Sequence, residues 1–279
     1  MQIKNKNEAY HQMVSRFLKK YEQEFSLKYA HESTVIEGNT CSYDEARKIL
    51  YGIYRVDPGA TDRQREVYEI RNHANTFLFL KDKLLRREPL DEDLIREMHR
   101  RLVENIMVGG IYRNENVGIG GSRYDFPEWQ EVPFQMLDYA EALKYKSAVC
   151  GLPEMSHPLE LAAWAHEEFV SIHPFRDGNG RTARMLSNYI LMQHGYLPIS
   201  VPAEKNTVNR YYQILEDYHQ SKDIKPLVEL FGELEEQELD HVIQIAKKIL
   251  CSLIRDRTLI AHLIILCYDS MVKISLLFL

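Results

Sequence analysis

The chain has 279 residues, enough for one large domain or two modest ones, with 35 Lys and Arg against 41 Asp and Glu and a formal net charge of −6. A mildly acidic surface argues against sequence-blind nucleic-acid binding, which needs a surplus of basic side chains. The four cysteines (Cys41, Cys150, Cys251 and Cys267) stand far apart without a CxxC pair. They suggest neither a zinc site nor a disulfide framework, and fit a reducing, cytoplasmic setting.

The N-terminus, Met1 to Lys6, lacks the apolar run of a signal peptide. Val14, Phe17, Leu18, Tyr21 and Phe25 then recur at helical steps and predict a first amphipathic helix. Residues 61–86 read as helix, Asp91 as the N-cap of a helix through Leu102, and 133–148 as a further helix. Between Ile111 and Phe126 the pattern changes. Val117 to Tyr124, with Gly120-Gly121 at its turn, predicts a short β-hairpin. Leu161, Ala162, Ala165, Phe169 and Ile172 line one helical face; Leu186, Tyr189 and Ile190 line another, which Gly195 is placed to end. Residues 207–220 and 226–255 complete an all-α reading, since no βαβ alternation occurs. Thr258 to Leu279 is apolar but interrupted by His262, Asp269 and Lys273, so it reads as a buried or partner-covered helix and not as a membrane span.

The chemistry concentrates in His173-Pro174-Phe175-Arg176-Asp177-Gly178-Asn179-Gly180-Arg181-Thr182-Ala183-Arg184. Pro174 disfavours helical geometry at His173, so one helix ends there and the next starts near Gly180 or Arg181. A helix N-terminus behind glycines offers unpaired N–H groups and a partial positive charge, an anion nest. Arg181 and Arg184, three apart, share a helical face and could clamp phosphates. Asp177 is a lone carboxylate of the kind that holds Mg²⁺ beside phosphate oxygens, and His173 is the nearby group able to take a proton at neutral pH. Neither a Walker loop nor a kinase HRD and DFG set is present.

This segment resembles the signature HxFx[D/E]GNGRxxR of the Fic family (Fic/Doc superfamily) at every fixed position. The flanks His157 to Ala163, Gly109 to Arg113, Arg210 to Leu215 and Asp223 to Val228 are similar too. The likeness runs from about Ser33 to about Phe231. It implies a Fic fold: a helical core over 61–231 with a β-hairpin flap at about 111–126, an N-terminal helical arm over 1–60, and a C-terminal extension over 232–279. It also implies protein adenylylation with ATP as co-substrate and Mg²⁺ or Mn²⁺ as cofactor. In that reading His173 deprotonates a Ser, Thr or Tyr hydroxyl of a target protein, and Asp177 holds the metal. Gly178, Asn179 and Gly180 cradle phosphates, Arg181 and Arg184 contact the leaving phosphates, and Phe175 fixes the loop from the core. Tyr212 is a candidate adenine-side contact. Ile119, Gly120, Gly121, Ser122, Arg123 and Tyr124 resemble the flap that docks the target backbone. Relatives often dimerise and can modify themselves.

A second stretch, Ser33-Thr34-Val35-Ile36-Glu37-Gly38-Asn39, resembles the inhibitory helix [S/T]xxxE[G/N] of the family, expected here at about 28–38. Ser33 and Glu37 are four apart and Gly38 can end the helix after them, so Glu37 is expected to pair with Arg184 where the γ-phosphate would sit, with Asn39 completing the motif. Related proteins with this glutamate can also remove AMP, so a hydrolase at the same site stays open. A silent protein-binding module and transfer of another phosphate-containing group stay open as well.

Overall fold

The computed structural model describes residues 2–56, 59–118, 124–152 and 155–254. Among them the chain forms α1 (Gln2–Val35), α2 (Tyr43–Leu50), α3 (Thr61–Leu85), α4 (Glu92–Leu102), α5 (Val132–Val149), α6 (Pro158–Ile172), α7 (Asn179–Gln193), α8 (Lys205–Ser221) and α9 (Lys225–Ile254). No strand occurs among the described residues. The expected hairpin falls largely on residues 119–123, outside them, as does the apolar stretch 258–279.

Local chemistry sets the helix ends. Asp91 caps α4 by accepting the Leu94 N–H at 2.9 Å. Ser42 and Glu45 form a capping box on α2, and His157 with Glu160 does the same on α6, ahead of Pro158 at its first position. The α1 end is a Schellman turn. Gly38 takes φ +94°, its N–H reaches the Val35 carbonyl at 2.9 Å, and the Asn39 N–H reaches Thr34 at 3.1 Å. Glu37 therefore stands at the C-cap, as the motif predicts.

The antiparallel pair α6 and α7 forms the centre, with more mutual packing than any other pair. Small residues on the facing sides (Ala162, Ala165 and Ala183) let the helices approach, and Ser187 Oγ donates to the Ala162 carbonyl at 3.2 Å. Helix α7 is buried almost all round, so its hydrophobic stripe is wider than an amphipathic surface helix needs. Helices α3 and α4 cover one side of it, and α1 packs on α3 and reaches α7 with its last turns. Tyr21, Phe25 and Tyr29 of α1 join the main core. A smaller cluster of Ala30, Cys41, Ala46, Ile49, Val67, Ile70 and Ala74 joins α1, α2 and α3. Leu227, Leu230, Phe231 and Leu234 seat the start of α9 against the same core. Among the described residues no helix is long and apolar enough to cross a membrane.

Candidate active site

The α6–α7 loop is built as a rigid hook. His173 ends α6 in the left-handed region, at φ +50° and ψ +57°, a conformation open to His more than to most non-glycine residues. Gly178, at φ +82°, starts α7. A Cβ there would press on Val103 and on the His99 ring, 3.2 and 3.3 Å away. Asn179 then closes the hook on itself: Oδ1 accepts the Phe175 N–H at 2.9 Å and Nδ2 donates to the Phe175 carbonyl at 2.8 Å. Its side chain staples the loop and does not face a ligand, so only its backbone can serve the nest. Phe175 is fully buried and stacks on His99 with centroids 3.7 Å apart and planes within 2°. Burial of such a side chain contributes about 1.5–3 kcal/mol.

Two residues to which the sequence reading assigned no role hold this hook in place. His99 accepts the Gly110 N–H on Nδ1 at 2.8 Å, which fixes Nε2–H as the donor to the Asp177 carbonyl at 2.9 Å. Burial lowers its pKa to about 4, so it stays neutral in that tautomer. Arg113 donates from Nε to the His173 carbonyl at 2.9 Å and from Nη1 to the Glu115 carbonyl at 3.1 Å, while Nη2 binds the Pro127 carbonyl. One guanidinium thus ties the backbone of His173 to both ends of the 115–127 segment. Two residues near its second end reach the site: Phe126 lies 4.4 Å from the His173 ring, and Tyr124 stacks on His219 at 3.6 Å.

The hook borders a cleft of about 810 Å³ lined by His173, Asp177, Gly178, Asn179, Gly180, Arg184, Tyr211, Tyr212, His219 and Glu37, among others. That volume suits a small-molecule ligand. The first N–H groups of α7 face it with no side-chain cap. Burial pushes the His173 imidazole down to about 4, so it is neutral at pH 7 and able to accept a proton. Its Nδ1 is buried without a partner in hydrogen-bond geometry, although the nearby Val170 backbone favours the charged form.

The motif residues separate into two groups. Arg184, 4% exposed, is held by the end of α1: Nε donates to Ser33 Oγ at 2.9 Å, and Nη2 to the Ser33 carbonyl at 2.8 Å and to Glu37 Oε1 at 2.7 Å. Glu37 lies at the unfavourable C-terminus of α1 but beside the favourable N-terminus of α7, with its carboxylate over Gly180. Tyr212, expected on the adenine side, donates its hydroxyl to the Ile36 carbonyl at 2.9 Å. It lines the cleft and also secures the end of α1. Asn39 does not reach Arg184; it donates to Glu69 Oε2 at 2.9 Å and to the Glu66 carbonyl at 3.0 Å.

Arg181 is 1% exposed and lies behind the cleft instead of lining it. It donates to Asp177 Oδ1 at 3.2 Å and pairs with Glu69 at 3.5 Å, leaving Nε and Nη1 without hydrogen bonds. Asp177 Oδ2 accepts from Arg65 at 2.5 Å. These cations and burial oppose each other at Asp177, and the cations hold its pKa below the ordinary carboxylate value. Among the described residues no group of three or more His, Cys, Asp or Glu side chains could cage a metal. A single hard carboxylate at the rim of an anion nest nevertheless fits a divalent cation that arrives with phosphate oxygens and water.

A model described as the Fic/DOC family matches residues 89–191. The solved structure of Fic-1 from C. elegans superposes with a TM-score of 0.72 at 31% identity, over 84% of this chain and 67% of that one. The chain belongs to the Fic/DOC family. A Fic domain containing signaling protein from Bacteroides thetaiotaomicron VPI-5482 superposes equally well, with a TM-score of 0.72 at 27% identity over 83% of this chain and 91% of that one. Proteins named protein adenylyltransferase Fic from Aedes aegypti and Culex quinquefasciatus are each 32% identical over 235 residues, 80% of this chain. The Fic chain spans only 43% of the length of those curated relatives.

Proposed function

We propose that this Fic protein transfers AMP from ATP to a Ser, Thr or Tyr hydroxyl of a target protein, and that Glu37 restrains the reaction in the conformation described here. The observation that carries the reading is the convergence of His173, Asp177, the α7 N-terminus and Arg184 on one cleft, with the Glu37 carboxylate on Arg184 and over Gly180.

His173 takes the proton of the target hydroxyl as its oxygen attacks the α-phosphorus, and the bond from that phosphorus to the pyrophosphate oxygen breaks. The first N–H groups of α7 receive the phosphates, and Arg184 meets the terminal phosphate once Glu37 has left it. Arg181, from behind, keeps Asp177 ionised and aimed at the cleft. Asp177 would hold Mg²⁺, which neutralises charge on the leaving pyrophosphate. The family resemblance assigns target docking to the stretch that runs from Gly118, at the cleft, to Tyr124, stacked on His219.

Intact-mass measurement after incubating Glu37→Gly protein with ATP and Mg²⁺ tests the assignment. The expected gain is that of one or more AMP groups, absent in Glu37→Gly/His173→Ala. A Glu37→Gly protein that gains no AMP on itself or on any protein of a lysate would overturn it.

A second reading, removal of AMP from a modified protein, is favoured by one observation: Glu37 places a carboxylate inside the same cleft, where it could orient a water. AMP release from an AMP-modified protein without ATP, lost in Glu37→Gly, would support it.

A further inference from the structure

Both oxygens of Asp177 are engaged by cations, and the two cations differ in kind. Arg181 sits four residues on, in the first turn of α7, with a side chain 2% exposed. It is fixed. Arg65 comes from α3, 112 residues away in sequence, and its side chain is 51% exposed. Solvent can take up its guanidinium at little cost. Arg65 also donates from Nε to Glu69 Oε1 at 3.2 Å. Glu69 Oε2 in turn accepts from Asn39 Nδ2, in the turn that follows Glu37.

We infer that Arg65 is the resting counter-ion of the metal ligand: it occupies Asp177 in the closed state and gives way to the divalent cation that enters with a nucleotide. The closed cleft then masks both halves of a metal–nucleotide at once. The Glu37 carboxylate stands where a phosphate would lie, and the Arg65 guanidinium stands where the cation would lie. A metal bound about 2 Å from a carboxylate oxygen would place two like charges within a few ångströms if Arg65 stayed. The chain Asn39–Glu69–Arg65–Asp177 couples the two masks, because the turn that carries Glu37 also steadies the carboxylate that holds Arg65. Arg65 competes with the metal; it does not bind the phosphates.

This inference rests on the nucleotide reading above, and metal binding separates the two. With Glu37→Gly protein as parent and ATP fixed, the free Mn²⁺ concentration giving half-maximal protein-bound Mn²⁺ is read by electron paramagnetic resonance. Adding Arg65→Gln is expected to lower that midpoint roughly three- to tenfold. ATP affinity at saturating metal should stay within about twofold. Arg65→Lys, which keeps the charge, is expected to hold the midpoint near the parent value. An unchanged or raised midpoint in the Gln variant overturns the role of Arg65, as does a large loss of ATP affinity at saturating metal, which would make Arg65 a phosphate ligand. A parent that binds no Mn²⁺ with ATP overturns the nucleotide reading itself, and this inference with it.

Discussion

Gly180 lies directly beneath the Glu37 carboxylate: a Cβ on that glycine would overlap Glu37 Oε1 and come within 3.2 Å of Arg184 Nη1. The backbone there is ordinary helix, so alanine brings no strain and even a better intrinsic propensity. Its methyl group would fill the space that the carboxylate fills now and that a phosphate would need. Gly180→Ala added to Glu37→Gly is therefore expected to weaken ATP binding at least about tenfold by calorimetry without lowering the melting temperature. Equal affinity in the two proteins would remove the anion nest from the site.

The pH profile of transfer should report the burial of His173. Its pKa is lowered to about 4, so the proton-accepting form persists as pH falls and is lost only through that value. Beyond burial, Glu37 favours the charged ring and Arg113 opposes it, so losing the Glu37 charge acts to lower the midpoint further. Initial rates of the Glu37→Gly protein are expected to stay nearly level from pH 8 to about pH 5.5. A halving near the ordinary histidine value of about 6.5 would mean that the ring is solvated in the working enzyme.

Asn179 should matter for stability as well as for activity. Truncation to alanine leaves both the N–H and the carbonyl of Phe175 without their partner in a buried loop. A loss of about 2 kcal/mol is expected from chemical denaturation. Asn179→Asp should lose a similar amount, because a carboxylate can accept from the Phe175 N–H but would set oxygen against the Phe175 carbonyl.

Two buried carboxylates near the α1–α9 junction predict a stability that declines toward alkaline pH. Burial raises Glu235 from 4.5 to about 7, while its bond from the Leu197 N–H works against this and the Glu238 charge adds to it. Glu32 is raised to about 6, mainly by burial. A carboxyl with a raised folded-state pKa contributes stability below its unfolded value and loses it as pH climbs through the folded one. Glu235→Gln keeps an acceptor for Leu197 and cannot ionise. It should match wild type at pH 4.5 and exceed it at pH 8 by on the order of 1–3 kcal/mol in thermal or chemical unfolding. Equal stability at both values would place that carboxylate in contact with water.

Much of the architecture could be read from the sequence because it is written in local chemistry. The Asp91 cap, the helix break before Pro174, the restart at the glycines and the Gly38 stop all depend on neighbours within a few residues. The pairing of Glu37 with Arg184, 147 residues apart, was accessible only through the family motif. Arg65, Glu69 and His99 carried no such signal, and Arg113 stood in a family-like flank that gave it no role. Each lies on an ordinary-looking helix or loop, and its role comes from α3, α4 and the 109–113 segment meeting the α6–α7 hook in space. Asn179 shows a different limit, since its place in the motif suggested a ligand contact and its two bonds to Phe175 make it a loop fastener. Arg181 resembled a clamp by spacing, yet almost complete burial of α7 turns it inward.

Ser33 offers Arg184 both a hydroxyl and a backbone carbonyl, and Glu37 adds a third acceptor from the same helix end. On the proposed reading, this end of α1 is a competitor for the phosphate site that never diffuses away. Its local concentration is set by the anchorage of α1 to α3 through Tyr29 and Phe77, and to α9 through Tyr21 and Lys28 on Glu238. Raising the ATP supply severalfold would shift such an intramolecular contest only a little. Displacing the last turns of α1 from the bundle would shift it far more, because all three acceptors leave Arg184 together.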